Sequence, residues 1–349
     1  MKIINLKTSF SLIILVVATA MAMQGCKKDD SATSTAPVDG STINFVLNDN
    51  FNFAGVYASL QKVNMVDSLA QKGPFTFFAP DNNAYVALNI RDPFPQSAFY
   101  DFTGTRMRDC MRYYTLNERV LLKQLPLVKN KTYVTRTGGN IYITKYLNGK
   151  DTVITVNGIK LVNGDNPASN GNIQVISQFL NPEIYHQAAA YIHADTAISM
   201  FAAAMQRSGL EASLLKGTDA YTLIAPSNGA FQKSRQLGKD LGISTLDSIL
   251  IADPAKLAQI LKYHIIKGMN FEGDLYRMAA AQPNGIETLS GETITISGSP
   301  DTFLGQKFKG TGNATNANIP INYSHNTNIP SNRPCGNAVV HIVDQVLIP

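Results

Sequence analysis

Two stretches of the 349-residue chain are versions of one another, and that repeat limits the possible folds more than any other feature. Gly73 to Leu88 reads GPFTFFAPDNNAYVAL and Asp219 to Ser234 reads DAYTLIAPSNGAFQKS. At an offset of 146 the pairs Thr76/Thr222, Ala79/Ala225, Pro80/Pro226, Asn82/Asn228 and Ala84/Ala230 are identical. Phe75/Tyr221, Phe77/Leu223, Phe78/Ile224 and Tyr85/Phe231 keep their character. One unit is therefore present twice. Length alone leads to the same count, roughly two domains of ~150 residues.

The physics of the unit is readable. Thr76 to Phe78 is a short β-prone run, and Ala79-Pro80 forces an extended residue and then removes a backbone donor. Asp81 can cap a helix that begins near Asn82. An apolar strand that runs into Ala-Pro, a small polar residue and then Asn-x-Ala-aromatic resembles the central motif of the fasciclin domain. Two further stretches share the likeness. Lys262-Tyr263-His264-Ile265-Ile266-Lys267-Gly268 resembles the family's Tyr-His motif, and Asn337 to Leu347 resembles its closing strand. The latter aligns with Asn170 to Leu180 at an offset of 167. The resemblance implies an α+β fold of two tandem fasciclin-type domains, residues 41–183 and 187–349, each a β-sandwich or wedge flanked by helices. Pro80, Pro226 and His341 are its structural markers.

Periodicity fills in each unit. Val56, Leu60 and Val63 fall at i, i+4 and i+7, predicting a helix with one apolar face, and Ile198, Phe201 and Met205 are its counterpart. Met107, Cys110, Met111 and Tyr114 predict a second helix, matched at an offset of 150 by Leu257, Ile260, Leu261 and His264. Cys110 thus points into the core as a structural thiol. In the second copy Asp253 is the expected N-cap of this helix and Pro254 opens its first turn. Between the two helices of the first copy lies a Pro- and aromatic-rich stretch from Arg91 to Gly104. From Thr132 the period becomes two, with turns at Gly138-Gly139, Asn148-Gly149 and Asn157-Gly158, so a β-meander is expected.

Offsets of 150 and then 167 mean that the second copy gains 17 residues before its last strand, and Ser297 to Pro334 is expected to hold them as a long surface loop. Its Asn313, Asn322 and Tyr323 join Tyr263 and His264 as candidate partner-binding residues, because binding specificity gathers in such loops. Only Tyr263-His264 carries the full Tyr-His match, since the first copy has Tyr113-Tyr114. The second copy is therefore the expected binder and the first chiefly a spacer.

Lys2 and Lys7 precede an apolar run from Phe10 to Met23 that is short for a membrane span, followed by Met23-Gln24-Gly25-Cys26. This resembles a bacterial lipoprotein signal over residues 1–25, with Cys26 as the acylated residue; a plain secreted chain is the alternative. Lys27-Lys28-Asp29-Asp30 resembles a signal for display on the outer face of the outer membrane, and residues 26–40 form a flexible tether. Asp30-Ser31-Ala32 resembles a short bacterial O-glycosylation acceptor.

Composition excludes several classes. A net charge of +5 falls to +3 on loss of Lys2 and Lys7, too weak and scattered for a nucleic-acid surface. Three cysteines cannot build a disulfide framework. His264 and His341 are both absent from the first copy, which has Tyr114 and Gln174 there. Their joint absence suggests neighbouring imidazoles that share either a hydrogen bond or a metal, although no third ligand is evident and no cofactor is expected. Catalytic signatures are missing too: there is no Gly-x-Ser-x-Gly elbow, His-Glu-x-x-His helix, Cys-x-x-Cys pair or phosphate loop, and Ser324-His325 has no orienting acid. The expectation is a non-catalytic adhesion or interaction lipoprotein that binds extracellular protein or matrix partners. The alternative is a glycan-binding lipoprotein, for which the chain offers 14 Tyr but no Trp.

Overall fold

The structure, a computed structural model, describes residues 41–88, 104–215, 217–237, 241–299, 302, 304–320 and 329–349. The expected signal, Cys26, the tether, Asn322, Tyr323, Ser324-His325 and nearly all of Arg91 to Gly104 lie outside the described residues.

In the first copy α1 (Ile43–Asp49) is capped by Thr42, and α2 (Ala54–Lys62) turns Val56 and Leu60 inward. β1 (Phe75–Pro80) is buried at every position, so it reads as a continuous apolar run without alternation. Pro80 ends the strand, and Asp81 accepts from the Ala84 N–H to start α3 (Asn82–Ala87). α4 (Gly104–Tyr113) buries Met107, Cys110 and Met111. It leads to β2 (Thr115–Leu116) and then to the expected meander of β3 (Val128–Val134), β4 (Asn140–Asn148), β5 (Asp151–Val156) and β6 (Ile159–Ala168). β7 (Gly171–Ile176) closes the copy by pairing parallel to β1, with Phe75 opposite Gly171 and Pro80 opposite Ile176. The seven strands form one sheet in the order β2-β1-β7-β6-β5-β4-β3.

The second copy repeats this path through α5 (Ala188–Ala194), α6 (Ser199–Arg207), β8 (Tyr221–Pro226) and α7 (Asn228–Gln232). α8 (Leu246–Ile251) and α9 (Pro254–Lys262) follow, the latter capped by Asp253 with Pro254 in its first turn. β9 (Ile265–Lys267) and α10 (Glu272–Ala281) come next, then β10 (Ile286–Glu287), β11 (Thr293–Ser297), β12 (Lys307–Gly310), β13 (Ala317–Asn318) and β14 (Arg333–Cys335). β15 (Ala338–Val343) closes the copy parallel to β8, with Ala338 opposite Tyr221 and Val343 opposite Pro226.

Here the sheet is divided in two, β10-β11-β12-β13 and β14-β15-β8-β9. The expectation of one long loop from Ser297 to Pro334 is corrected by three of these strands. β12 sits inside that stretch with Phe308 fully buried, and β13 buries Ala317. Strands of two to four residues are too short to show a period, which is why they were not apparent. Nor does the stretch hold the whole surplus. The turn in which Thr135 Oγ1 donates to Gly139 O recurs as Thr288 Oγ1 to Glu292 O, an offset of 153, so three of the extra residues have already entered before Thr288. They accompany the ten-residue α10, where the first copy has a single three-residue turn, Leu122–Gln124.

Candidate functional site

The polar residues that recur in both copies form one hydrogen-bonded frame. Thr76 Oγ1 donates to Glu118 O and accepts from the Val120 N–H at 2.8 Å; Thr222 Oγ1 donates to Gly268 O and accepts from the Asn270 N–H at 2.9 Å. Asn170 Oδ1 accepts from the Ile43 N–H while its Nδ2 donates to Leu69 O and Gln71 O. Asn337 likewise accepts from the Ala188 N–H and donates to the carbonyls of Leu214, Gly217 and Asp219. Each asparagine thus pins the start of a closing strand to the first helix and to the turn before the central strand.

His264 and His341 serve this frame, each with different side chains around it. His264 Nδ1 donates to Ile260 O at 2.8 Å and Nε2 accepts from the Leu347 N–H at 2.8 Å. In the first copy the Tyr114 hydroxyl accepts from the Leu180 N–H, the same position at an offset of 167. His341 Nε2 donates to Asn270 O at 3.1 Å and Nδ1 accepts from the Ser331 hydroxyl. Gln174 Nε2 donates to Val120 O at 3.1 Å, the equivalent carbonyl. Tyrosine and glutamine therefore each make one of the two bonds that the corresponding imidazole makes. The expected bond between the two histidines is corrected: each is saturated by other partners. Full burial lowers both pKa values to about 4, so both rings are neutral at pH 7. Among the described residues no three His, Cys, Asp or Glu side chains are gathered as a metal site.

Burial also corrects the candidate partner-binding residues. Tyr263 and His264 have no exposed surface, and Asn313 is 3% exposed. The Tyr263 hydroxyl donates to Thr293 O, and Asn313 braces Gly310, Val346 and Ile348, so no partner reaches any of the three. His264 occupies the i+7 position of an apolar stripe, which places it inside. Cys110 and Cys335 are both buried and free, and burial pushes the Cys110 thiol up to about 12, leaving it unreactive at neutral pH.

Comparison with known proteins agrees with this doubled frame. The Fasciclin domain matches residues 51–182 and again residues 196–349. The chain belongs to the fasciclin family. It is 28% identical over 277 residues to transforming growth factor-beta-induced protein ig-h3 of Sus scrofa, covering 79% of this chain and 35% of that protein. To periostin of Homo sapiens it is 29% identical over 286 residues, 81% of this chain and 29% of that protein. The chain therefore spans about a third of the length of these two relatives. Protein sll1483 of Synechocystis is 27% identical over 175 residues, 50% of this chain and 92% of that protein. Among solved structures, a FAS1 domain pair from the insect cell adhesion molecule fasciclin I aligns over 86% of this chain and 98% of its own, at 18% identity and a TM-score of 0.37.

The two fasciclin domains meet through buried polar side chains that the sequence did not reveal. Glu183, 1% exposed, accepts from the Asn140 N–H and the Tyr142 hydroxyl of the first domain and from the Gly336 N–H of the second. Asn181 donates to Ile329 O and Ser331 O, Asn130 to Met269 O, and Lys129 to Asn270 Oδ1. The Tyr142 and Phe271 rings pack at 5.4 Å over Val339. Gly158 lies at a close approach of the two: a Cβ there would stand 2.4 Å from that of Phe271, and its φ of +79° is itself a glycine conformation. Beside it Glu272 is 5% exposed, and desolvation raises its carboxyl to about 7.

Proposed function

We propose that the chain is a non-catalytic adhesion module that works outside the cell, its paired fasciclin domains contacting extracellular protein or matrix partners. The inward direction of the recurrent polar groups carries this reading. His264, His341, Cys110, Cys335 and both recurrent threonines are spent on holding elements together, which leaves the outer surface of the pair to do the work. Membership of the fasciclin family supports adhesion, and the fold alone would not. In this reading Cys26 carries the lipid, residues 27–40 are the leash, and the module faces outward from an outer membrane. Two or more acyl chains would hold it there stably.

A second reading, glycan capture, is favoured by an asparagine-lined cleft in the first domain. Beads coated with the purified chain test the main proposal. They are expected to adhere to surfaces coated with extracellular matrix proteins well above an albumin control, and adhesion no better than the control would end it. Cys26→Ala is expected to move the protein from the membrane fraction to the soluble fraction of its host.

A further inference from the structure

The two domains differ most in the charge of their equivalent strands. Between Glu118 and Asp165 the first domain carries eight lysines and arginines against three acids, a net +5. The equivalent stretch of the second domain, Gly268 to Asn332, carries three against five, a net −2. Of the first domain's eight, Lys123 and Lys145 line one of its two clefts.

These clefts adjoin, one on each side of Val162-Asn163 in β6. The first, of about 420 Å³, has a floor of Val46, Phe53, Val162, Ile173 and Val175. Its walls are the side chains of Asn50, Asn52, Asn82, Asn83, Asn163 and Asn166, with Asp81. Part of this wall is already engaged. Asn82 bridges Gly55 N–H and Phe51 O, and Asn166 is bonded to Asn163 and to Ile173 O. Asn50 Oδ1 accepts from the Asn52 N–H, Asn83 Nδ2 donates to Asp81 Oδ2, and Asn163 Nδ2 donates to Asn166. Among the described residues this leaves the Asn50 Nδ2 donor, the whole Asn52 amide, and the Asn83 and Asn163 carbonyl oxygens for a ligand. Neutral donors and acceptors interspersed above an apolar floor suit a group that both donates and accepts and that also presents C–H faces. Sugar hydroxyls and rings do both.

The second cleft, of about 410 Å³, is lined by Lys123, Lys145, Thr152, Ile154, Leu161 and Gly164 with the shared Val162-Asn163. The Lys145 ammonium is fixed by Lys123 O at 2.7 Å and Leu125 O at 2.6 Å, which leaves it one further N–H. Lys123 is exposed. The nearby Asp165 carboxylate is already taken by the Leu122 and Lys123 N–H groups and by Gln174. An anion is thus attracted on the lysine side and repelled from the first cleft by Asp81. Each volume falls in the range of small-ligand sites.

We propose that these adjoining clefts form one binding site in the first domain for an acidic oligosaccharide, its hydroxyls on the asparagines and its anionic group between Lys123 and Lys145. The site rests on the reading of the chain as a binding module and gives that module a ligand class. It makes the first domain the binder and not a spacer.

Calorimetric titration of the full chain tests this with four probes: tetragalacturonate, a chondroitin sulfate tetrasaccharide, neutral maltotetraose and poly-glutamate. At least one acidic tetrasaccharide is expected to bind ten-fold or more tighter than maltotetraose and poly-glutamate, and which one it is separates carboxylate from sulfate. Lys123→Glu is expected to weaken that binding at least ten-fold and to leave maltotetraose unchanged, whereas Asn52→Ala weakens both several-fold. Both side chains are exposed, and unchanged melting temperatures confirm folding. The site is refuted by no binding to any saccharide, by poly-glutamate binding as well as the acidic sugar, or by wild-type affinity in Lys123→Glu. Beads that still adhere to matrix proteins while the chain binds no sugar would refute this site and leave the adhesion reading intact.

Discussion

At the scale of single residues, the two domains solve one problem with different side chains, and the difference is measurable through protons. Gln174 and His341 donate to equivalent carbonyls, but only the histidine titrates. Its pKa falls from the ordinary 6.5 to about 4 on burial, so between those values the unfolded chain binds a proton that the folded chain refuses. Its contribution is complete above pH 6.5 and is lost as pH falls towards 4, a loss of about 3 kcal/mol at 1.36 kcal/mol per pKa unit. Glu272 works in the opposite sense. Its folded pKa of about 7 lies above the ordinary 4.5, so it favours folding at low pH and loses that contribution as pH rises from 4.5 to 7. With His264 acting like His341, two histidines outweigh one carboxyl and stability should rise from pH 4 to 6.5. His341→Gln is expected to cost no more than about 1 kcal/mol at pH 7, because glutamine serves the same carbonyl in the first domain. It should also remove nearly half of the histidine-driven rise. Urea denaturation at pH 5 and pH 7 reads both quantities, and an unchanged difference between the two pH values would show that His341 is not the titrating group.

At the scale of elements, legibility in the sequence followed how local each interaction is. Pro80 and Pro226 announced a strand end, a cap and a helix start because all three lie within a few residues, and the structure has all three in both copies. The burial of His264 was legible too, in its apolar spacing, although the family motif suggested a partner-facing role. Strands β12 to β14 were not legible: two to four residues do not define a period, and their burial is set by neighbours distant in sequence. Nor was the asparagine bond set, because it joins residues up to 149 positions apart. Asn170→Ala tests that set. It leaves the buried Ile43 N–H and two carbonyls without partners, which should cost about 2–4 kcal/mol and loosen α1 from β7. Hydrogen exchange should show faster exchange at Ile43 and Phe75 than in the central strands, and uniform protection would mean the asparagine is not what docks the closing strand.

At the scale of the whole molecule, the junction between the two domains is built like an interior. Glu183 is a single acceptor shared by two domains, and Phe271 packs on Tyr142 across the boundary while Arg277 lies 3.9 Å over the Tyr146 ring. Residues of both domains also belong to one continuous apolar core, with Ile143 and Val156 from the first and Leu275 and Phe308 from the second. Relative domain motion is the ordinary expectation for a small, polar boundary, and a buried boundary in which both Glu183 oxygens are hydrogen-bonded opposes it. Such a junction would keep the clefts of the first domain at a set orientation to any surface on the second. Calorimetry should therefore show one unfolding transition for the pair, with calorimetric and van't Hoff enthalpies equal. Glu183→Ala strands the Tyr142 hydroxyl and the Gly336 N–H inside the junction, at a cost of about 1–3 kcal/mol for each unpaired group. Because the bond to Gly336 crosses the boundary while those from Asn140 and Tyr142 lie within the first domain, the variant should melt in two steps, with the first domain melting at the lower temperature. Two transitions already present in the unaltered chain would show that the domains are joined by the linker alone.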